Sequence, residues 1–185
     1  MSITLHPALL KESFLYFAKF PLLEGVVSSM FRSKSNTTGD LLNEVNAINP
    51  NSLIPEIKNF LFSSNEDKLK KDIEDTKGIF MLLDYGELSS STDNLSRTND
   101  SFEIGIIIAQ KLKPDDYDMA EILLIQDKLL NVMRELREHM LIDIKESPFV
   151  KQLNFPHQIK PWYARELANA TGFSMMFSKT GIDMI

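Results

Sequence analysis

The sequence predicts an α+β fold: an antiparallel sheet of about four strands, ordered β-β-α-β-β, with one long helix on a face and several short helices before it. Three observations predict this. Proline, glycine, asparagine and serine cut residues 1–77 into short pieces. From residue 78 the apolar residues form continuous runs and period-two alternation, the mark of strands. Between two such pairs, residues 115–143 contain no glycine or proline and carry apolar residues at steps of three and four. The 185 residues amount to about one domain. We read 1–77 as its helical N-terminal part and 78–185 as its α+β part.

The first helix starts near Pro7, a residue suited to a first helical turn. Leu10, Phe14, Phe17 and Ala18 share one of its faces, and Pro21 ends or kinks it. Arg32–Gly39 is a polar loop. Asp40 caps a short helix with Leu41, Leu42 and Val45, and Asn49-Pro50-Asn51-Ser52 breaks the chain again. Pro55 then opens a short helix through Phe62. Ser64 or Asn65 caps a charged helix over 66–77, with Leu69 and Ile73 as its apolar pair and Gly78 just beyond its end.

Ile79–Tyr85 is a continuous apolar run between two glycines, which predicts a strand buried on both faces. Residues 87–101 are almost wholly polar and predict a mobile hairpin tip with Arg97 in it. Phe102, Ile104, Ile106 and Ile108 alternate along the second strand. Met119, Ile122, Gln126, Leu129, Met133, Leu136 and Met140 then line the long helix, with Gln126 as the polar interruption. Leu123, Ile125 and Leu130 widen that stripe. At about 1.5 Å per residue the helix is ~40 Å long and able to project beyond the sheet. Phe149, Val150, Leu153 and Phe155 form a partly buried connection after Pro148. Trp162–Leu167 is the third strand and Asn169–Gly172 a turn. In the fourth strand Phe173, Met175 and Phe177 point inward, and Met176 breaks the alternation.

Composition narrows the functions. There are 20 basic and 26 acidic residues, a net charge of −6, which argues against general nucleic-acid binding through phosphate. The chain has no cysteine, so disulfides, thiolate metal sites and cysteine nucleophiles are absent. The apolar stretch at 14–27 is interrupted by Lys19, Pro21 and Glu24, too broken for a membrane span or a signal peptide. A cytoplasmic protein without membrane attachment is expected.

No residue pattern fixes a reaction. The chain lacks the Gly-x-Ser-x-Gly elbow, the phosphate-binding loop and the dinucleotide fingerprint. Glu135, His139 and Asp143 fall at successive i, i+4 steps, but one helical stripe spreads them over about 12 Å, too far for one ion. They read as a solvated face, and His6 and His157 find no clustered ligands in the sequence. Asp115, Asp116 and Asp118 suit the positive end of the long helix rather than acid–base chemistry. We expect no catalytic residue, metal or cofactor. The nine methionines read mainly as core filling. The least ordinary segment is Trp162-Tyr163-Ala164-Arg165, where aromatic rings and a guanidinium suit an interface. Trp162, Tyr163, Arg165 and the tip residue Arg97 are the candidate interaction residues. Adjacent strand positions send Trp162 and Tyr163 to opposite faces.

The second half runs Ile79–Tyr85, polar tip, Phe102–Leu112, long helix, then a C-terminal pair ending in Gly172-Phe-Ser-Met-Met-Phe-Ser178. By this element order it is similar to small α+β assembly proteins of bacteriophage tails and head–tail connections, of the tail-terminator or tail-completion type. The resemblance implies a non-enzymatic, ring-forming protein whose loops and sheet edges touch neighbouring subunits. It transfers no individual functional residue. A structural or assembly protein acting by self-association is therefore the first expectation. A soluble protein-binding or regulatory module is the alternative, and an enzyme with an Asp/Glu/His site the third.

Overall fold

The computed structural model of the chain describes residues 9–31, 39–62, 66–92, 98–112, 117–155 and 158–180. Three helices come first: α1 (Leu9–Ala18), α2 (Leu23–Met30) and α3 (Gly39–Ile48). Phe14, Phe17 and Ala18 of α1 are buried as their spacing predicts, and Val45 anchors α3. Asn49 closes the end of α1: its side-chain Nδ2 donates to the carbonyls of Ala18 at 2.8 Å and Pro21 at 2.9 Å. These acceptors lie where a helix end leaves carbonyls unpaired.

The next element corrects the sequence reading. Residues 57–62 are not helical. They form strand β1 (Ile57–Phe62), followed by α4 (Glu66–Asp75) and β2 (Ile79–Thr92). β1 runs parallel to β2, with Ile57 opposite Ile79 and Phe62 opposite Leu83. The chain thus makes a parallel crossover through α4, the connection such a pair requires. Six residues with four apolar side chains fit a strand or one helical face equally well. The neighbouring apolar run of β2 settles the matter, because β1 supplies it with a hydrogen-bonded edge. The N-terminal part is therefore not purely helical.

β3 (Thr98–Lys111) pairs antiparallel with β2 from Phe80–Ala109 out to Thr92–Thr98. Most of the supposed polar tip is accordingly paired strand backbone. Ladder hydrogen bonds join main chains whatever the side chains, so polarity alone did not mark a loop. Only residues 93–97, with Arg97, lie outside the described residues.

Helix α5 (Met119–Asp143) follows. It opens with a reciprocal cap: Asp118 Oδ1 accepts from Glu121 N–H at 2.8 Å and Glu121 Oε2 from Asp118 N–H at 3.0 Å. The chain then forms α6 (Pro148–Lys151), β4 (Leu153–Asn154), β5 (Lys160–Ala164) and β6 (Ala170–Thr180). Phe149, Val150 and Leu153 are buried and Phe155 half-buried, as expected. The sheet order is β1-β2-β3-β6-β4, and β5 also pairs with β6. It is a mixed, six-stranded sheet, not the four-stranded antiparallel one expected; from β2 onward every pairing is antiparallel.

The last hairpin turns earlier than predicted. β5 ends at Ala164, residues 165–169 form the turn, and Ala168 and Asn169 both take left-handed backbone angles of φ 54° and 52°. Gly172 is not in the turn but inside β6, opposite Ala109 of β3 and Trp162 of β5. A Cβ there would come 2.8 Å from the Ala109 Cβ. Glycine therefore marks a close approach between strands, a need that resembles a turn signal in the sequence.

Two apolar layers result. On the first face, Met81, Leu83, Ile104, Ile106, Ile108, Met175 and Phe177 meet α1, α2, α3 and the C-terminal half of α5. The inward phase predicted for β6 holds, with Phe173 half-buried and Met176 exposed. On the second face, Leu69 and Ile73 of α4 cover Leu61, Phe80, Leu82, Ile107 and Ala109. Residues 79–83 are buried throughout because helices cover both faces of that strand. Helix α2 protects the outer edge: Leu22 N–H donates to Ile57 O at 2.9 Å, and Gly25 abuts the β1 backbone.

Candidate functional site

The strand register sends Trp162 and Tyr163 to opposite faces. Trp162 stands across Gly172 from Ala109 and packs, half-buried, on the second apolar layer. Tyr163 is 61% exposed, and its hydroxyl donates to Asn169 Oδ1 at 3.3 Å. Arg165 is exposed in the turn rather than on a strand. Three near neighbours in sequence thus divide between an inner wall and an outer rim.

The inner wall belongs to a cleft of about 570 Å³. Leu82, Asp84 and Ile107 form its floor on β2 and β3. Asp67, Leu69 and Lys70 of α4 stand on one side. Trp162, Ala164, Glu166 and Leu167 stand on the other. Gly105 of β3 lies between Asp84 of β2 and Met176 of β6 in register. Burial beside the apolar floor pushes the Asp84 carboxyl above the ordinary carboxylate range. The sequence reading found Trp162 but not its company. Asp67 and Glu166 lie almost a hundred residues apart and meet only through the crossover and the final hairpin.

A second exposed feature lies on α5. Its stripe is buried from Leu129 to Met140, but Met119 is 81%, Leu123 68% and Leu124 69% exposed. The expected stripe is therefore met only in part over the first two turns: Ile122 and Ile125 are half-buried, and Met119 and Leu123 stay exposed. A signal was present: Ile122-Leu-Leu-Ile125 places four apolar residues in succession. At ~100° per residue they spread over about 300° of helix and cannot all face one sheet. Gln126, the polar interruption, has a partner, since its Nε2 donates to Thr171 Oγ1 at 2.7 Å.

The other polar candidates serve the fold. Asp143 accepts from the Tyr16 hydroxyl at 2.8 Å and from Lys19 Nζ at 2.5 Å, clamping α5 to α1. Burial and the nearby Asp143 charge hold the Tyr16 phenol far above its usual range, so it remains a donor. His139 lies against the Phe20 ring at 6.0 Å between centroids. Among the described residues no group of three or more histidine, aspartate and glutamate side chains could hold a metal ion. His6, His157, Asp115 and Asp116 fall outside those residues, and Asp118 caps α5. The sequence reading missed Lys179, which is 4% exposed and bonded to Glu12 Oε2 at 3.0 Å. An inward-facing lysine near the end of an alternating strand carried the only hint of a partner.

No described helix is long and apolar enough to cross a membrane. No family model, curated protein or solved structure matches the chain.

Proposed function

We propose that the chain is a non-enzymatic assembly protein that acts by self-association through the N-terminal end of α5. The exposure of Met119, Leu123 and Leu124 carries this reading. Removing such a side chain from water yields roughly 1.5–3 kcal/mol, an incentive the isolated chain leaves unused on all three. Their clustering at one helix end distinguishes them from single exposed apolar residues, which are ordinary. The resemblance of the sequence's expected element order to phage tail-completion proteins suggests a setting for this proposal, a ring of like subunits.

Sedimentation of the native chain beside a Leu123→Glu/Leu124→Glu variant tests it. Both positions are exposed, so circular dichroism should stay unchanged while the native oligomer falls to monomer. A native chain that is monomeric at every concentration, or a variant that remains oligomeric, overturns the proposal.

A monomer would favour the second reading, a module that binds a different protein. Its support is the outer rim, where exposed Tyr163 and Arg165 adjoin the edge strand β5. Aromatic and arginine side chains of this kind concentrate interface energy. Arg165→Ala would then weaken partner binding without unfolding the chain.

A further inference from the structure

The cleft on the second face of the sheet has a chemistry that self-association does not use. Its volume of about 570 Å³ lies within the span of small-molecule sites. Its floor of Leu82 and Ile107 is apolar, and one wall is the Trp162 indole. Among the described residues that line the cleft, Asp67, Asp84 and Glu166 stand against one cation, Lys70, a formal balance of 1 − 3 = −2 when all are ionised. The three carboxylates come from three different elements, α4, β2 and the turn after β5, so they converge by folding rather than by local composition.

We propose that this cleft binds a small organic cation, an ammonium or amidinium group carried on an apolar body. The apolar body would lie on Leu82 and Ile107. The cationic head would face Trp162, whose ring attracts positive charge, with Asp84 as the nearest carboxylate on the floor. Beside Asp84, Gly105 lets the Met176 thioether pack close to the sheet, since a Cβ there would lie 3.0 Å from Met176 Sδ and 3.5 Å from Asp84 Cβ. Anions of the same size are disfavoured by the carboxylates, and neutral molecules gain only the apolar contact. Partial desolvation raises the Asp84 carboxyl, and a cation beside it would offset that cost.

Trp162 is the chain's single tryptophan, so its fluorescence reports on this cleft alone. The experiment titrates the full chain with benzyltrimethylammonium and, separately, with benzyl alcohol and phenylacetate. A saturable change in Trp162 emission is expected for the cation only. Asp84→Asn should weaken it at least about tenfold, and Asp67→Asn on the exposed side of α4 should weaken it in the same direction. Circular dichroism of each variant confirms that the fold is retained. Equal response to benzyl alcohol would show an apolar cleft without cation recognition. Absence of saturation with the cation, or unchanged affinity in both folded variants, would likewise overturn the proposal.

Discussion

Replacing Gly25 with alanine sets two effects of opposite sign against each other. Gly25 lies inside α2, where alanine is the better helix former by about 1 kcal/mol. Against this stands the edge strand. A Cβ at Gly25 would fall onto the Lys58 carbonyl oxygen, 2.8 Å from the Lys58 carbonyl carbon and 3.1 Å from Asn59 Cα. All three atoms are backbone, so no side chain can rotate away. Relief requires α2 to lift by about 1 Å toward ordinary carbon contacts of ~3.5 Å. That motion is resisted by the Leu22 N–H to Ile57 O bond of 2.9 Å and by Val26, which is fully buried. Overpacking costs about 1–3 kcal/mol, and with backbone at all three contacts the upper part of that range applies, about 2–3 kcal/mol. The clash therefore wins, and Gly25→Ala should destabilise by about 1–2 kcal/mol net of the helix gain. The melting temperature should fall by about 2–8 °C at ~2–4 °C per kcal/mol for a chain of this size. Gly39 at the start of α3 is the internal control, because a Cβ there meets nothing within 4 Å. Gly39→Ala should be neutral or stabilising by up to ~1 kcal/mol. Thermal unfolding followed by circular dichroism compares the two. A Gly25→Ala protein as stable as the native one would refute the close docking of α2 on β1.

Two further outcomes concern polar groups. Asn49 uses only its Nδ2 donors, on the Ala18 and Pro21 carbonyls, while its Oδ1 has no partner among the described residues. Asn49→Asp, similar in shape but without those donors, should cost about 2–4 kcal/mol, as much as Asn49→Ala. Urea unfolding checks this, and an Asn49→Asp midpoint equal to the native one would contradict it. The raised carboxyl of Asp84 makes its ionised form a burden on the folded state that is absent while both states are protonated. Asp84→Asn should therefore raise the melting temperature at about pH 7 and leave it unchanged near pH 3. An equal rise at both pH values would show that the change acts through packing instead.

What the sequence determined by itself is the set of elements whose period is long or unambiguous. The alternation of β6, the burial of Ile79–Leu83 on both faces and the core stripe of α5 from Leu129 to Met140 are local patterns. A strand period of two or a helical step of three and four expresses them without reference to any partner. The opposite facing of Trp162 and Tyr163 belongs here too, since it follows from the pleat alone.

Tertiary structure decided the rest. Ile57–Phe62 became a strand because β2 offered it a parallel edge and α4 a crossover, and neither is visible in six residues. Residues 88–92 and 98–101 became paired backbone because ladder hydrogen bonds run between main chains whatever the side chains. Gly172 signified a close approach to Ala109 and not a turn, a distinction set by a strand about 60 residues away in the chain. In the first turns of α5, Met119, Leu123 and Leu124 stayed exposed while Ile122 and Ile125 are half-buried, because four apolar residues in succession point to more sides than the apolar layer covers. The cleft is the extreme case, for Asp67, Asp84, Trp162 and Glu166 form no sequence pattern at all. They meet because α4 crosses the second face while the β5 hairpin folds beside it, and that convergence exists only once the sheet is assembled.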